Sequence, residues 1–194
     1  MQFMFYDNTE EKEPSVSVTS TIPHEPFQNE ILDRIKRKYK HYIENPLCVY
    51  KLCQSEWLVI MEKLPSTKTN ETRPNVKNHM YAKFRANKLK VLAIVNVNNE
   101  KNLAVLLHTF QFENINSTVL YEVEKEVTPD HFDKEIENVC SNGIHYFKMI
   151  DRAFLYRDSP IDYTGIWFDW YDSGQIKNRQ IYVNGQRDGI YTSY

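Results

Sequence analysis

The sequence predicts an α+β protein in which a mainly antiparallel sheet body with a few short helices is followed by a β-hairpin repeat module. Three observations predict it. The composition is rich in aromatic residues and poor in glycine, with 13 Tyr, 10 Phe and 5 Gly in 194 residues, which favours strands whose rings pack against neighbours. Short runs of β-branched and aromatic residues outnumber the segments with helical spacing. The end of the chain repeats itself: Gly165-Ile166-Trp167-Phe168-Asp169-Trp170 is echoed by Gly189-Ile190-Tyr191-Thr192-Ser193-Tyr194.

Composition also bounds the function. Hydrophobic residues make up 41% and charged residues 26%, the balance of a globular chain long enough for one domain and a small appendage. A net charge of −2 supplies no global field for nucleic acid or an anionic membrane, so neither is an expected partner. No apolar run approaches the roughly 20 residues of a membrane helix. The N-terminal MQFMFYDNTEEKEP lacks the basic flank and long apolar core of a signal peptide. Three cysteines, Cys48, Cys53 and Cys140, are an odd and sparse set that reads as free thiols in a reducing compartment. The expectation is an intracellular protein, not a secreted one, in which the Asn70-Glu71-Thr72 and Asn116-Ser117-Thr118 glycosylation patterns are chance matches.

Residues 1–46 read as an arm and a basic amphipathic helix. The arm (1–26) carries Pro14, Pro23 and Pro26 and no sustained period. Over 27–44, Phe27, Ile31, Ile35, Tyr39 and Tyr42 or Ile43 recur at helical spacing, with Asn29 as N-cap and Pro46 beyond the end. Arg34, Lys36, Arg37, Lys38 and Lys40 crowd its other faces, which reads as a solvated surface.

Residues 47–157 read as the body. LCVYKLC and EWLVIMEKL are two strands, and 65–79 is a polar loop. KLKVLAIVNV (88–97) and NLAVLLHTFQF (102–112) are nearly continuous apolar runs, expected as a buried antiparallel hairpin at the heart of the sheet. STVLYEVEKEV (117–127) alternates as a half-exposed strand. TPDHFDKEIENV (128–139) has Thr128 to cap, Pro129 in the first turn and early acids, and so predicts a short helix. GIHYF is a further strand, and MIDRAFLYRD a short helix or turn.

Residues 158–194 read as the repeat module. Asp172-Ser173-Gly174 and Asn184-Gly185 are hairpin-turn signals in which glycine supplies the positive φ. The second copy supplies a single strand after its glycine, so its edge is expected to pair with another chain, another copy or the arm.

The segment 165–194 resembles a variant MORN-type repeat, carried by Gly165, Trp167, Trp170, Tyr171, Gly174, Gln175, Tyr182, Asn184, Gly185, Asp188 and Gly189. That resemblance implies interaction and scaffold proteins and brings no catalytic residues. Over about 47–157 the chain resembles a family of uncharacterised proteins of large DNA viruses. The carriers are the block Tyr81–Lys88 and the strand after it, Tyr121-Glu122-Val123, Val127–Asp133 and Cys140–Phe147. This second resemblance implies a viral protein of the host cytoplasm or the virion, and no reaction.

Two groups of residues carry candidate chemistry. Cys140–Phe147 followed by Asp151–Tyr156 is similar to the Gly-Ile-[Tyr/His]-Phe strand and Ala/Tyr-containing helix of ADP-ribosyltransferase-like enzymes. That similarity makes His145 the catalytic candidate of the alternative reading, a nucleotide-dependent transferase. Cys48, Cys53, Cys140 and His145 could compose a Cys3His zinc set. Cys48 and Cys53 differ in strand parity, however, so buried structural thiols are the better reading and no cofactor or metal is expected. On the aromatic strand, Ile166, Phe168 and Trp170 face one way and Trp167, Asp169 and Tyr171 the other. Core packing is the first reading of these rings, and Trp167, Trp170, Tyr171, Tyr191 and Tyr194 are the candidate partner-binding residues. The function expected is a non-enzymatic scaffold or interaction protein that binds a protein partner, or itself, through its repeat edge.

Overall fold

The computed structural model of the chain describes residues 29–112, 115–158 and 163–193. The arm at 1–26 and Tyr194 lie outside the described residues. The observed class is α+β, with sheets that are antiparallel throughout and three short helices.

Helix α1 (Glu30–Lys38) starts where the sequence asks: the Asn29 side chain accepts the Leu32 N–H at 3.0 Å. Acids occupy its first turn and bases its last, complementing the helix dipole. Tyr39 leaves helical geometry (ψ 24°) and α2 (Lys40–Ile43) follows. Leu32 and Ile35 are fully buried. The basic face is less solvated than expected, because Lys36 Nζ meets Asp151 at 2.6 Å and Arg34 Nε meets Glu100 at 2.7 Å. These pairs fix the helix to the body.

Strands β1 (Cys48–Cys53), β2 (Trp57–Glu62), β3 (Lys83–Ala86), β4 (Leu89–Asn96), β7 (Glu126–Val127) and β8 (Ile144–Phe147) form one six-stranded sheet, in the order β3-β8-β1-β2-β4-β7. Both faces are covered. Cys48, Tyr50 and Leu52 point into one core with Leu32, Ile35 and Phe154, while Val49 and Cys53 point into the other with Met61, Val91 and Tyr146. The two thiols lie on opposite faces, as their parity predicts.

The expected 88–97/102–112 hairpin does not form. Strand β4 is buried, but its neighbours are β2 and β7, and a lone Val95–Asn102 bridge ties it to the segment leading into β5. Strand β5 (Val105–Phe112) pairs instead with β6 (Ile115–Glu122) in a separate two-stranded ribbon. The physical reason is coverage: β7 takes the sheet position expected of β5. Among the described side chains the ribbon buries Leu106, Val119 and Tyr121 and leaves Val105, Leu107 and Leu120 at 48%, 56% and 52% exposure. Accordingly, Ile94→Ala should cost about 2–5 kcal/mol through burial and cavity terms, whereas Leu107→Ala should stay within about 0.5 kcal/mol. Urea denaturation of both variants checks this contrast.

The helix expected over 128–139 is also absent. That segment is an irregular loop wrapped round Arg85, whose side chain is 0% exposed. The guanidinium donates to the Asp133, Glu135, Asn138 and Asn142 carbonyls, and those of Asp133 and Glu135 are ones a helix over 128–139 would have used internally. The Asp133 carboxylate in turn accepts the Glu135 N–H, the Asn138 amide and the Ser141 hydroxyl, and these donors lower it to about 2.

Strands β9 (Gly165–Trp170), β10 (Ile176–Val183) and β11 (Gln186–Ser193) form a three-stranded sheet in the order β11-β10-β9. Its two turns fall at the positions predicted, and Asn184 and Gly185 both take positive φ (50° and 73°), the geometry of a tight hairpin. Opposite Gln180 the β10–β11 register shifts, and Gly189 (φ 71°) opens a bulge there.

Candidate functional site at the junction of the sheets

Two features bring the hairpin module onto the body. The first is shared core: Trp167 and Phe168 are buried at 5% and 7% exposure in the cluster that contains Tyr50, Leu58 and Phe154. The second is the Asp172-Ser173-Gly174 turn, laid along residues 77–83. The Ser173 carbonyl accepts from the Lys77 and Asn78 N–H groups (2.9 and 3.0 Å), and the Asp172 carbonyl from the Lys83 N–H at 3.1 Å. Arg73 Nη2 adds a bond to the Asp172 carbonyl at 2.6 Å while Nη1 holds the Lys83 carbonyl at 2.8 Å. Arg152 closes the junction. It donates towards the Tyr81 and Trp170 carbonyls and lies 4.4 Å from the Phe147 ring centroid and 5.0 Å from that of Trp170. Buried cations here are satisfied largely by carbonyl dipoles and ring faces.

Chemistry-bearing side chains converge at the outer end of β3. Lys83, buried to 8% exposure, places Nζ 3.4 Å from Cys140 Sγ and 3.1 Å from the Tyr156 hydroxyl. Cys140 Sγ donates to Asp172 Oδ2 at 3.3 Å. Loop, strand, helix exit and hairpin turn thus each contribute one group. Burial would lower the Lys83 ammonium, but Tyr156, Asp172 and Cys140 together hold it above the ordinary lysine value. Burial pushes the Cys140 thiol up and Asp172 adds to this, against the pull of Lys83. The sequence alone points to none of the Lys83, Tyr156 and Asp172 roles. The available signal is the strand Lys83-Phe84-Arg85-Ala86, whose alternation puts two cations on one face of an otherwise apolar strand.

His145 sits opposite Arg85 in the β3–β8 register, and its Nε2 lies 3.0 Å from the Val139 carbonyl. A carbonyl only accepts, so Nε2 carries the proton and the imidazole is committed to a structural bond. Burial, reinforced by the charges of Lys83 and Lys51, holds it well below the ordinary histidine range. Among the described residues no carboxylate hydrogen-bonds it. The Cys3His set is not assembled either, since Cys48 and Cys53 face opposite cores and Cys140 is exposed. Cys48 and Cys53 are buried, as the strand reading expects, whereas Cys140 is exposed. Among the described residues no group of three or more His, Cys, Asp or Glu could hold a metal ion, and no helix is long and apolar enough to cross a membrane. Asn70 is buried, its side chain accepting the Arg85 N–H at 2.9 Å.

The aromatic candidates divide. Trp167 is core. Trp170 stacks on Tyr81 at 5.3 Å with an interplanar angle of 9°, beneath Arg152. Tyr171 is half-buried, with Lys177 over its ring. Tyr191, on β11, is 52% exposed and its hydroxyl donates to Asn178 Oδ1 at 2.5 Å.

A second histidine carries a pH dependence. His108, on the inner face of the β5–β6 ribbon, has a buried Nδ1 without a hydrogen-bond partner, and burial followed by the charge of Lys51 lowers it to about 4. A depressed histidine is neutral when folded, while the unfolded chain takes up its proton near pH 6.5. Its stabilising effect is therefore full above about pH 6.5 and is lost as pH falls towards 4, amounting to about 3 kcal/mol at most. Urea unfolding of wild type and His108→Gln between pH 7 and 4 should show a smaller acid-side loss in the variant.

No curated protein and no solved structure matches the chain significantly. A family model, the family of unknown function DUF5758, matches residues 38–153. The match runs from the end of α1 into helix α3 (Ile150–Phe154) and includes Arg73, Lys83, Arg85, Cys140, His145 and Arg152, but stops before the hairpin module. With more than half of its length matched, the chain belongs to this family of unknown function.

Proposed function

We propose that the protein is a non-enzymatic scaffold whose C-terminal sheet, a MORN-type repeat, captures a protein partner or a second copy by strand addition at β11. The observation that carries this reading is the position of β11. Among the described residues it has β10 as its one neighbour, so the outer N–H and C=O groups of Gln186–Ser193 face away from the sheet. An eight-residue edge is long enough to template another strand. Tyr191 and Val183, at 52% and 42% exposure, add apolar surface beside it. The repeat assignment rests on the turns and glycines of 165–189. Its setting in a large DNA virus, acting in the host cytoplasm or the virion, rests on the sequence blocks between 81 and 147.

Deleting residues 186–194 should weaken self-association or partner capture while the far-UV spectrum and thermal transition of the body persist. Sedimentation velocity of the purified chain and proximity labelling in expressing cells read the two arms. Unchanged association and an unchanged set of labelled proteins would reject the edge as the binding element.

A further inference from the structure

We propose that Lys83 and Cys140 form a peroxide-driven covalent S–O–N bridge, a modification site that ties the Arg85 loop to strand β3. The geometry has three parts. First, Lys83 Nζ and Cys140 Sγ are already 3.4 Å apart, so a single inserted oxygen spans the gap with small side-chain adjustments. Second, the lysine is held: at 8% exposure, its Nζ bonds the Tyr156 hydroxyl at 3.1 Å, and among the described residues no carboxylate forms an ion pair with it. Third, access is unequal among the thiols. As a residue Cys140 is exposed, its Sγ partly shielded by the loop and by Asp172, whereas Cys48 and Cys53 are buried in the two cores, so a small oxidant reaches the cysteine beside the lysine first.

The chemistry balances with hydrogen peroxide as oxidant. One peroxide converts the Cys140 thiol to a sulfenic acid and water. At alkaline pH the Lys83 ammonium, which Tyr156, Asp172 and Cys140 hold above the ordinary lysine value, gives its proton to hydroxide, and a second peroxide oxidises the amine to a hydroxylamine and water. Condensation of the N–OH with the S–OH forms the S–O–N linkage and releases a third water. The net change on the protein is one oxygen gained and two hydrogens lost, relative to the thiol and the neutral amine. Two equivalents of a dithiol reductant supply the four electrons that return the thiol and the amine, the bridging oxygen leaving as water, and complete the switch. Asp172 lies against the same sulfur (3.3 Å), so the bridge forms beside the turn that seats the hairpin module.

The test is to treat the full chain with hydrogen peroxide at a series of increasingly alkaline pH values at which the chain stays folded, digest it without reductant and read the peptides by mass spectrometry. The expected result is a cross-linked pair joining the Lys83 and Cys140 peptides, heavier than their sum by one oxygen less two hydrogens and lost on dithiothreitol treatment. The pair should be absent from Cys140→Ser and from Lys83→Arg, the latter keeping the charge, with an unchanged far-UV spectrum required of both variants. Oxidation of Cys140 to sulfinic or sulfonic acid with no cross-link would overturn the proposal. So would a wild-type Cys140 left unmodified under conditions that oxidise a small-molecule thiol. Neither result bears on strand addition at β11.

Discussion

Replacing Arg85 by methionine should destabilise the protein by about 3–5 kcal/mol, the range for removing one partner of a buried polar network. Methionine fills much of the volume but donates nothing. Arg85 supplies hydrogen bonds to the Asp133, Glu135, Asn138 and Asn142 carbonyls and sits 5.5 Å from the Phe132 ring centroid. Without it those carbonyls either stay unpaired or reach water by opening the loop. The second course is open to them, because several loop residues are already exposed. The loss should therefore appear in two measurements: a lower urea midpoint, and fast amide exchange over 132–143 under conditions where β2 and β4 remain protected. A loop that stayed protected in Arg85→Met would show that the Asp133 bonds suffice to hold it.

Gly174→Val should be nearly as damaging and act at the junction. A Cβ on Gly174 would sit 2.1 Å from the Asn78 carbonyl oxygen and 2.7 Å from the Ala82 nitrogen, on a residue whose φ is +87°. Both neighbours are backbone, so no side chain can swing aside. Overpacking and left-handed strain together should cost on the order of 3 kcal/mol or more. The relief is for the turn to lift from 77–83, giving up the Ser173 bonds to Lys77 and Asn78. Trp170 would then lose its stack on Tyr81, and a change in tryptophan fluorescence reports it. Gly189→Ala is the control for left-handed strain without overlap and should cost less, since its φ is also positive (+71°) but the nearest atom to its added Cβ is 3.6 Å away on the flexible Ile181 side chain.

The parts of the fold that sequence revealed are those governed by local physics. Asn29 caps α1 because its own side chain reaches the Leu32 N–H, and Asn184-Gly185 turns because both residues accept positive φ. Strands β1, β2 and β8 follow from β-branched and aromatic runs, and the opposed thiols of β1 from parity. The hidden parts depend on partners far along the chain. Whether β5 or β7 lies beside β4 is decided by which strand returns to cover it, and apolar content cannot distinguish them. The helix signals of Thr128 and Pro129 are genuine but lose to Arg85, some forty residues earlier in the sequence. The Lys83 cluster is hidden for the same reason: Lys83, Cys140, Tyr156 and Asp172 meet only once β3, the Arg85 loop, the exit of α3 and the hairpin turn are in place. The residues flanking His145 suggest catalysis when taken alone, and its contact with the Val139 carbonyl, six residues back across the turn, is not visible in their types.

Strand addition at β11 is tested most directly by amide hydrogen exchange across Gln186–Ser193, measured at dilute and concentrated protein and with any partner recovered by labelling. Amides on the outer side of β11 should exchange quickly in the dilute chain and become protected on assembly, while those bonded to β10 change little. Association that proceeds with the exchange of β11 unchanged would contradict strand addition.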